Sequence, residues 1–95
     1  MAFRNSNPMT AERAEGIALQ GLTFLVADAA RLQRFLALTG TAPDDLRGWA
    51  GAPHVQAALL EHLLSDESLL MTFAAEAGLM PEDVAPAAAL LARGT

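Results

Sequence analysis

The chain has 95 residues and a mass of 10.0 kDa, enough for one domain but, at roughly 60–65% of unfolded surface buried, too little to enclose a large cavity. Alanine occurs 21 times and leucine 16, whereas valine and isoleucine together occur four times and tyrosine never; a sheet would lack the side chains that cover its faces, so the fold class is all-α. Cysteine is absent and the formal net charge is −5, which excludes disulfides and thiolate chemistry and makes a nucleic-acid partner unlikely on charge alone.

The charge is unevenly spread. All six cations are arginines: Arg4, Arg13, Arg31, Arg34, Arg47 and Arg93. Residues 1–51 balance five acids with five arginines, while residues 52–95 set six acids against Arg93 alone. The start, Met1-Ala2-Phe3-Arg4-Asn5-Ser6, has no apolar export region, and the uncharged run 16–27 is too short to span a bilayer. A cytoplasmic protein with no membrane span is the expectation.

Residues 1–6 read as a disordered tail and 7–95 as a single helical domain. Asn7-Pro8 reads as an N-cap with proline at the first helical position, opening a helix that runs to about Ala27. The second half of that helix (Ile17, Leu19, Leu22, Phe24, Leu25, Val26) is apolar nearly all round, as in a buried central helix. Asp28 caps the next, with Leu32, Phe35 and Leu36 on one face, and Gly40 ends it in the left-handed conformation. Pro43 opens a short third helix carrying Leu46 and Trp49, and Pro53 a fourth running to about Leu64. Asp66 caps a fifth that Gly78 ends, and Pro81 opens a last segment that Pro86 interrupts. Five to six short helices result.

The punctuation recurs. Asp28, Gly40 and Pro43 return as Asp66, Gly78 and Pro81, at a constant offset of 38 residues. At that offset, 17–46 and 55–84 share nine identities in thirty positions, Leu22/Leu60, Leu25/Leu63, Leu32/Leu70, Phe35/Phe73, Ala37/Ala75 and Asp45/Asp83 being the others. The pattern predicts an internal repeat of two three-helix units, about 8–50 and 53–91. A unit that short cannot bury its apolar face alone, so the two first helices should pack on each other, around a pseudo-twofold. Gly21 costs a helix about 1 kcal/mol relative to alanine, and its counterpart is Leu59; a glycine hole facing a leucine knob would account for it.

The pieces Ala18-Leu19-Gln20-Gly21-Leu22-Thr23-Phe24-Leu25, Phe35-Leu36-Ala37-Leu38-Thr39-Gly40, Pro43-Asp44-Asp45-Leu46-Arg47 and Asp66-Glu67-Ser68-Leu69-Leu70-Met71-Thr72-Phe73-Ala74 resemble, in order and spacing, a family of short bacterial proteins classed as domain of unknown function 3572. The resemblance covers about residues 12–84. It implies a small helical cytoplasmic protein and brings no activity, ligand or catalytic residue with it. The chain departs from the family pattern at Pro86 and around Trp49.

Candidate chemistry is sparse. His54 and His62 lie eight residues apart, and His62 with Asp66 has the i, i+4 spacing of a metal pair. A third ligand is missing, and Asp66 is explained as a helix cap by its repeat mate Asp28. Asp66-Glu67, Asp44-Asp45 and Glu82-Asp83 sit in first turns, where the helix dipole favours acids. Ser65 and Ser68 have no positioned base beside them. No catalytic, cofactor-binding or metal-binding residue is assigned, and no cofactor is expected. A helix-turn-helix around Gly40 would present Asp44-Asp45 to phosphates, with only Arg31, Arg34 and Arg47 to hold them. Trp49 reads as a core or interface anchor.

That leaves a protein partner or self-association. Hydrophobic residues make up 53% of the chain and the mean hydropathy is +0.28, so some apolar surface should face outward. The repeats diverge where Arg31, Gln33, Thr41 and Ala42 become Leu69, Met71, Leu79 and Met80. These four, rimmed by Glu67 and Glu76, form the candidate interface of a protein–protein interaction or regulatory module. A nucleic-acid-associated protein and a small metal-dependent enzyme are the alternative readings.

Overall fold

A computed structural model describes residues 8–94. The tail 1–6 and the Asn7 cap lie outside the described residues. Five α-helices follow in order: α1 (Ala11–Val26), α2 (Ala29–Thr39), α3 (Pro53–Leu64), α4 (Glu67–Ala77) and α5 (Val84–Ala92). Short 3₁₀ turns occupy Pro43–Leu46, Trp49–Gly51 and Pro81–Asp83, and no strand occurs among the described residues.

α1 begins three residues later than proline at its first position would require. Thr10 is the cap: its backbone is extended, and its hydroxyl accepts from the Arg13 amide at 3.1 Å. Pro8 stays outside the helix while Met9, next to it, packs against the core. α2 and α4 have the expected ends. Asp28 accepts from the Ala30 and Arg31 amides, and Asp66 from the Leu69 amide. Gly40 and Gly78 close the two helices with φ of 73° and 69°, a region open to glycine at no steric cost.

Two expected elements differ. The short helix with Leu46 and Trp49 is instead two separate 3₁₀ turns. Gly48 and Gly51 punctuate the segment and Pro53 follows, so no continuous helix propagates through it. Pro86, expected to interrupt the last segment, sits at the third position of α5 and leaves it unbroken. Amides in a first turn have no acceptor inside the helix, so proline removes no bond there.

The core lies between α1, α3 and α5. α1 and α3 meet as expected at Gly21: a Cβ built there would lie 2.7 Å from Leu59 Cδ2 and 3.3 Å from Leu63 Cδ1. α5 packs against both helices, burying Val84, Ala87, Ala88 and Leu91. Trp49 is also buried, and Gln56 on α3 donates from Nε2 to its carbonyl, which ties that turn to the core. The molecule measures 18 Å in its shortest dimension, about two helix diameters of ~10 Å. Function therefore has to be sought in surface seams between helices.

Candidate functional site

Phe35 and Phe73, at matching positions of α2 and α4, are both fully buried. Each meets a ring from the other half of the chain. Phe73 packs on Phe24 of α1, with centroids 5.4 Å apart, and Phe35 packs edge-on against His62 of α3 at 5.3 Å. Phe24 and His62 are themselves 38 residues apart, so the two ring pairs correspond. They lie at the base of two seams, α1/α4 and α2/α3.

The α1/α4 seam is open. Arg13 pairs with Asp83 at 2.7 Å, Gln20 Nε2 donates to the Ala77 carbonyl at 3.4 Å, and Phe24 meets Phe73. These contacts run in opposite order along the chain, so α1 and the α4 segment lie antiparallel. Between the last two of them is a groove of about 390 Å³, with Phe24, Phe73, Ala27 and Ala77 in its lining. Leu19, Thr23 and Glu76 also line it. Leu19 is 53% exposed, and Glu76 forms no ion pair among the described residues. Arg31 of α2 stacks on the Phe24 ring, its guanidinium carbon 4.2 Å from the centroid.

The α2/α3 seam has a different base. His62 is 8% exposed, and its Nε2 is buried without a hydrogen-bond partner among the described residues. Burial, then the positive charge of Arg34, holds the imidazole below its ordinary value of 6.5, against the opposing pull of Asp66. His54 is exposed. Among the described residues no three His, Cys, Asp or Glu side chains gather as a metal ion would need.

The residues expected to form an interface divide. Leu69 and Leu79 are partly buried and pack against the core, where they serve the fold, whereas Met71 and Met80 stand 50% and 57% exposed. Glu67 and Glu76 are also exposed, and of the six residues only Glu76 lines the groove. The α1 wall of the groove escaped the sequence reading, because that half of α1 reads as apolar all round. The available signal was the interruption of its apolar run by Gln20 and Thr23, three residues apart on one face. Two of the three arginines expected as a basic patch are engaged locally: Arg31 approaches Asp28 at 3.9 Å and Arg47 approaches Asp44 at 3.5 Å. Where a helix-turn-helix needs its second helix after Gly40, there is a 3₁₀ turn.

The family model "Protein of unknown function (DUF3572)" matches residues 11–94, and the chain belongs to that family. No curated protein and no solved structure matches it. No helix among the described residues is long and apolar enough to cross a membrane.

Proposed function

We propose that this chain is a protein-interaction module whose docking surface is the α1/α4 groove, and that the groove takes an amphipathic segment of a partner carrying a basic residue. The observation that carries this reading is the groove itself: two phenylalanines at its base, exposed Leu19 on its rim, and one exposed carboxylate, Glu76, in its wall. An apolar side chain seated in the groove beside Leu19 and the edge of Phe24 would be desolvated, and a neighbouring cation would meet Glu76. The excess of acids in residues 52–95 favours the approach of such a segment and opposes an acidic one. A helix laid between two antiparallel helices is a common mode of peptide recognition, read through anchors at i, i+3 or i+4, and i+7. A cytoplasmic setting and descent of the two halves from one duplicated unit belong to the same proposal; the matching caps and ring pairs at offset 38 support the second.

The test uses two synthetic twelve-residue amphipathic peptides with the same leucine stripe, one flanked by arginines and the other by glutamates, titrated into the isotope-labelled chain. The arginine peptide should shift the amides of Leu19, Thr23, Phe73 and Glu76, and Glu76→Lys should transfer the preference to the glutamate peptide. Shifts that map to other surfaces, or no binding of either peptide, would refute the reading.

A further inference from the structure

The second seam carries a different property. α2 packs on both α1 and α3 but buries fewer residues than any other α-helix: Phe35 is its one buried residue, with Leu32 and Leu36 only half-buried. α4, its counterpart, buries both Phe73 and Ala74. The remaining tie noted above is Arg31 on the Phe24 ring. Phe35 rests on the ring of His62, a titratable group in the place where the other half of the chain has Phe24.

We propose that α2 is a flap released by acid: it docks through Phe35 onto the neutral imidazole of His62 and leaves α3 when that ring takes up a proton. Three observations support this. His62 is nine-tenths buried, and its Nε2 has no group among the described residues to receive a proton's charge, so an imidazolium formed in place would be poorly solvated. The charges acting on the ring are Arg34, from α2 itself, and Asp66, at the cap of α4. A charged His62 therefore repels the helix that covers it, while Asp66 stays with the body of the fold. Moving α2 away relieves the repulsion and hydrates the ring at once. It would also bare Phe35, Leu32 and Leu36, and lift Arg31 from the Phe24 ring at the base of the groove.

The size of the effect follows from linkage. Burial and the Arg34 charge hold the docked imidazole below its ordinary value of 6.5, and opening α2 removes both causes, so the open state takes up a proton at higher pH than the docked one. The docked state is therefore fully favoured above the open state's pKa and loses ground as the pH falls through and below it. One pH unit below the ordinary value, at pH 5.5, the opening equilibrium increases by at most about tenfold.

Amide hydrogen exchange on the full chain at pH 7.5 and 5.5, corrected for intrinsic exchange rates, tests this. Protection of α2 should fall by up to about tenfold at the lower pH, with that of α4 unchanged. His62→Phe, which places in α3 the residue α1 already has, should remove the response, and His54→Gln should keep it. Equal loss in α2 and α4, or a response that survives His62→Phe, would overturn the proposal. Should His62→Phe fail to fold, an NMR titration of the unaltered chain decides: the α2 amides should follow the His62 ring proton, with a midpoint below the ordinary imidazole value of 6.5. α2 amides that stay silent while His62 titrates would overturn it equally.

Discussion

Two glycines in one helix should respond oppositely to the same substitution. Around Gly16 there is nothing within 4 Å of an added Cβ; at Gly21 the Cβ would lie 2.7 Å from Leu59 Cδ2 and 3.3 Å from Leu63 Cδ1. Carbon atoms in ordinary contact sit about 3.5–4.0 Å apart, so roughly 1 Å of overlap with Leu59 has to be relieved. Leu59 and Leu63 are both fully buried, so any movement has to be accommodated by side chains already in close packing. Overpacking of this kind costs about 1–3 kcal/mol, against a gain of about 1 kcal/mol from replacing glycine within a helix. Gly16→Ala should stabilise by about 1 kcal/mol, raising Tm by about 4–8 °C, and Gly21→Ala should be neutral or destabilising by up to about 2 kcal/mol. Thermal and urea unfolding followed by circular dichroism would read both. Leu59→Ala made in the Gly21→Ala background should cost less than in the parent chain, by about 1–2 kcal/mol, because the new methyl occupies part of the vacated space. The reasoning fails if Gly21→Ala stabilises as much as Gly16→Ala, or if the two changes at the contact are additive.

Phe35→Ala and Phe73→Ala should each cost about 3–5 kcal/mol, and a melting temperature equal to the parent's would contradict their burial. Asp28→Ala and Asp66→Ala should each cost about 1 kcal/mol; because the two caps adopt the same backbone geometry, losses differing more than twofold in urea unfolding would count against their equivalence. Met71→Glu combined with Met80→Glu should change stability by no more than about 1 kcal/mol, as befits exposed sites. Unfolding of that double variant would place both side chains in the core, while a smaller sedimentation coefficient with stability intact would show that they join two copies of the chain.

The fold was legible where backbone geometry dictates the residue. Asp28, Gly40, Asp66 and Gly78 each satisfy a local requirement of a helix end, so a single sequence reveals them. Composition alone excluded a sheet. Pro8 and Pro86 misled because proline's constraints are local while its context is not. The same ring that opens a helix can also precede one, if a better cap such as Thr10 lies just beyond, and a proline in a first turn breaks nothing. The groove was the least legible feature. Whether Leu19 faces solvent or core depends on how α4 crosses α1, and no pattern within α1 records that angle. Leu69 and Leu79 illustrate the converse: their apolar character reads equally well as surface or core until the packing of α4 is known.

The functional asymmetry lies in what occupies corresponding positions of the two seams. Taken at the 38-residue offset, Phe24, Thr23 and Glu76 of the α1/α4 seam correspond to His62, Glu61 and Leu38 of the α2/α3 seam. The first seam has a purely apolar base and a charge in its wall; the second has a titratable base and an apolar residue, Leu38, 64% exposed, where the charge would be. Closure differs as well. Trp49 and Ala87 stand at the same offset and both are buried, yet one is a single large ring on a 3₁₀ turn and the other belongs to a helix of small residues that lies across α1 and α3. α5 therefore braces α1 and α3, the scaffold on which both α2 and α4 pack. The α1/α4 recess has no titratable group at its base, whereas a helix packed on an imidazole ring responds to whatever changes that ring. The proposed docking seam and the proposed acid-responsive seam thus differ in the ring at the base, Phe24 in one and His62 in the other, and in the element at the matching position of the chain, α5 beyond α4 for one and the Trp49 turn beyond α2 for the other.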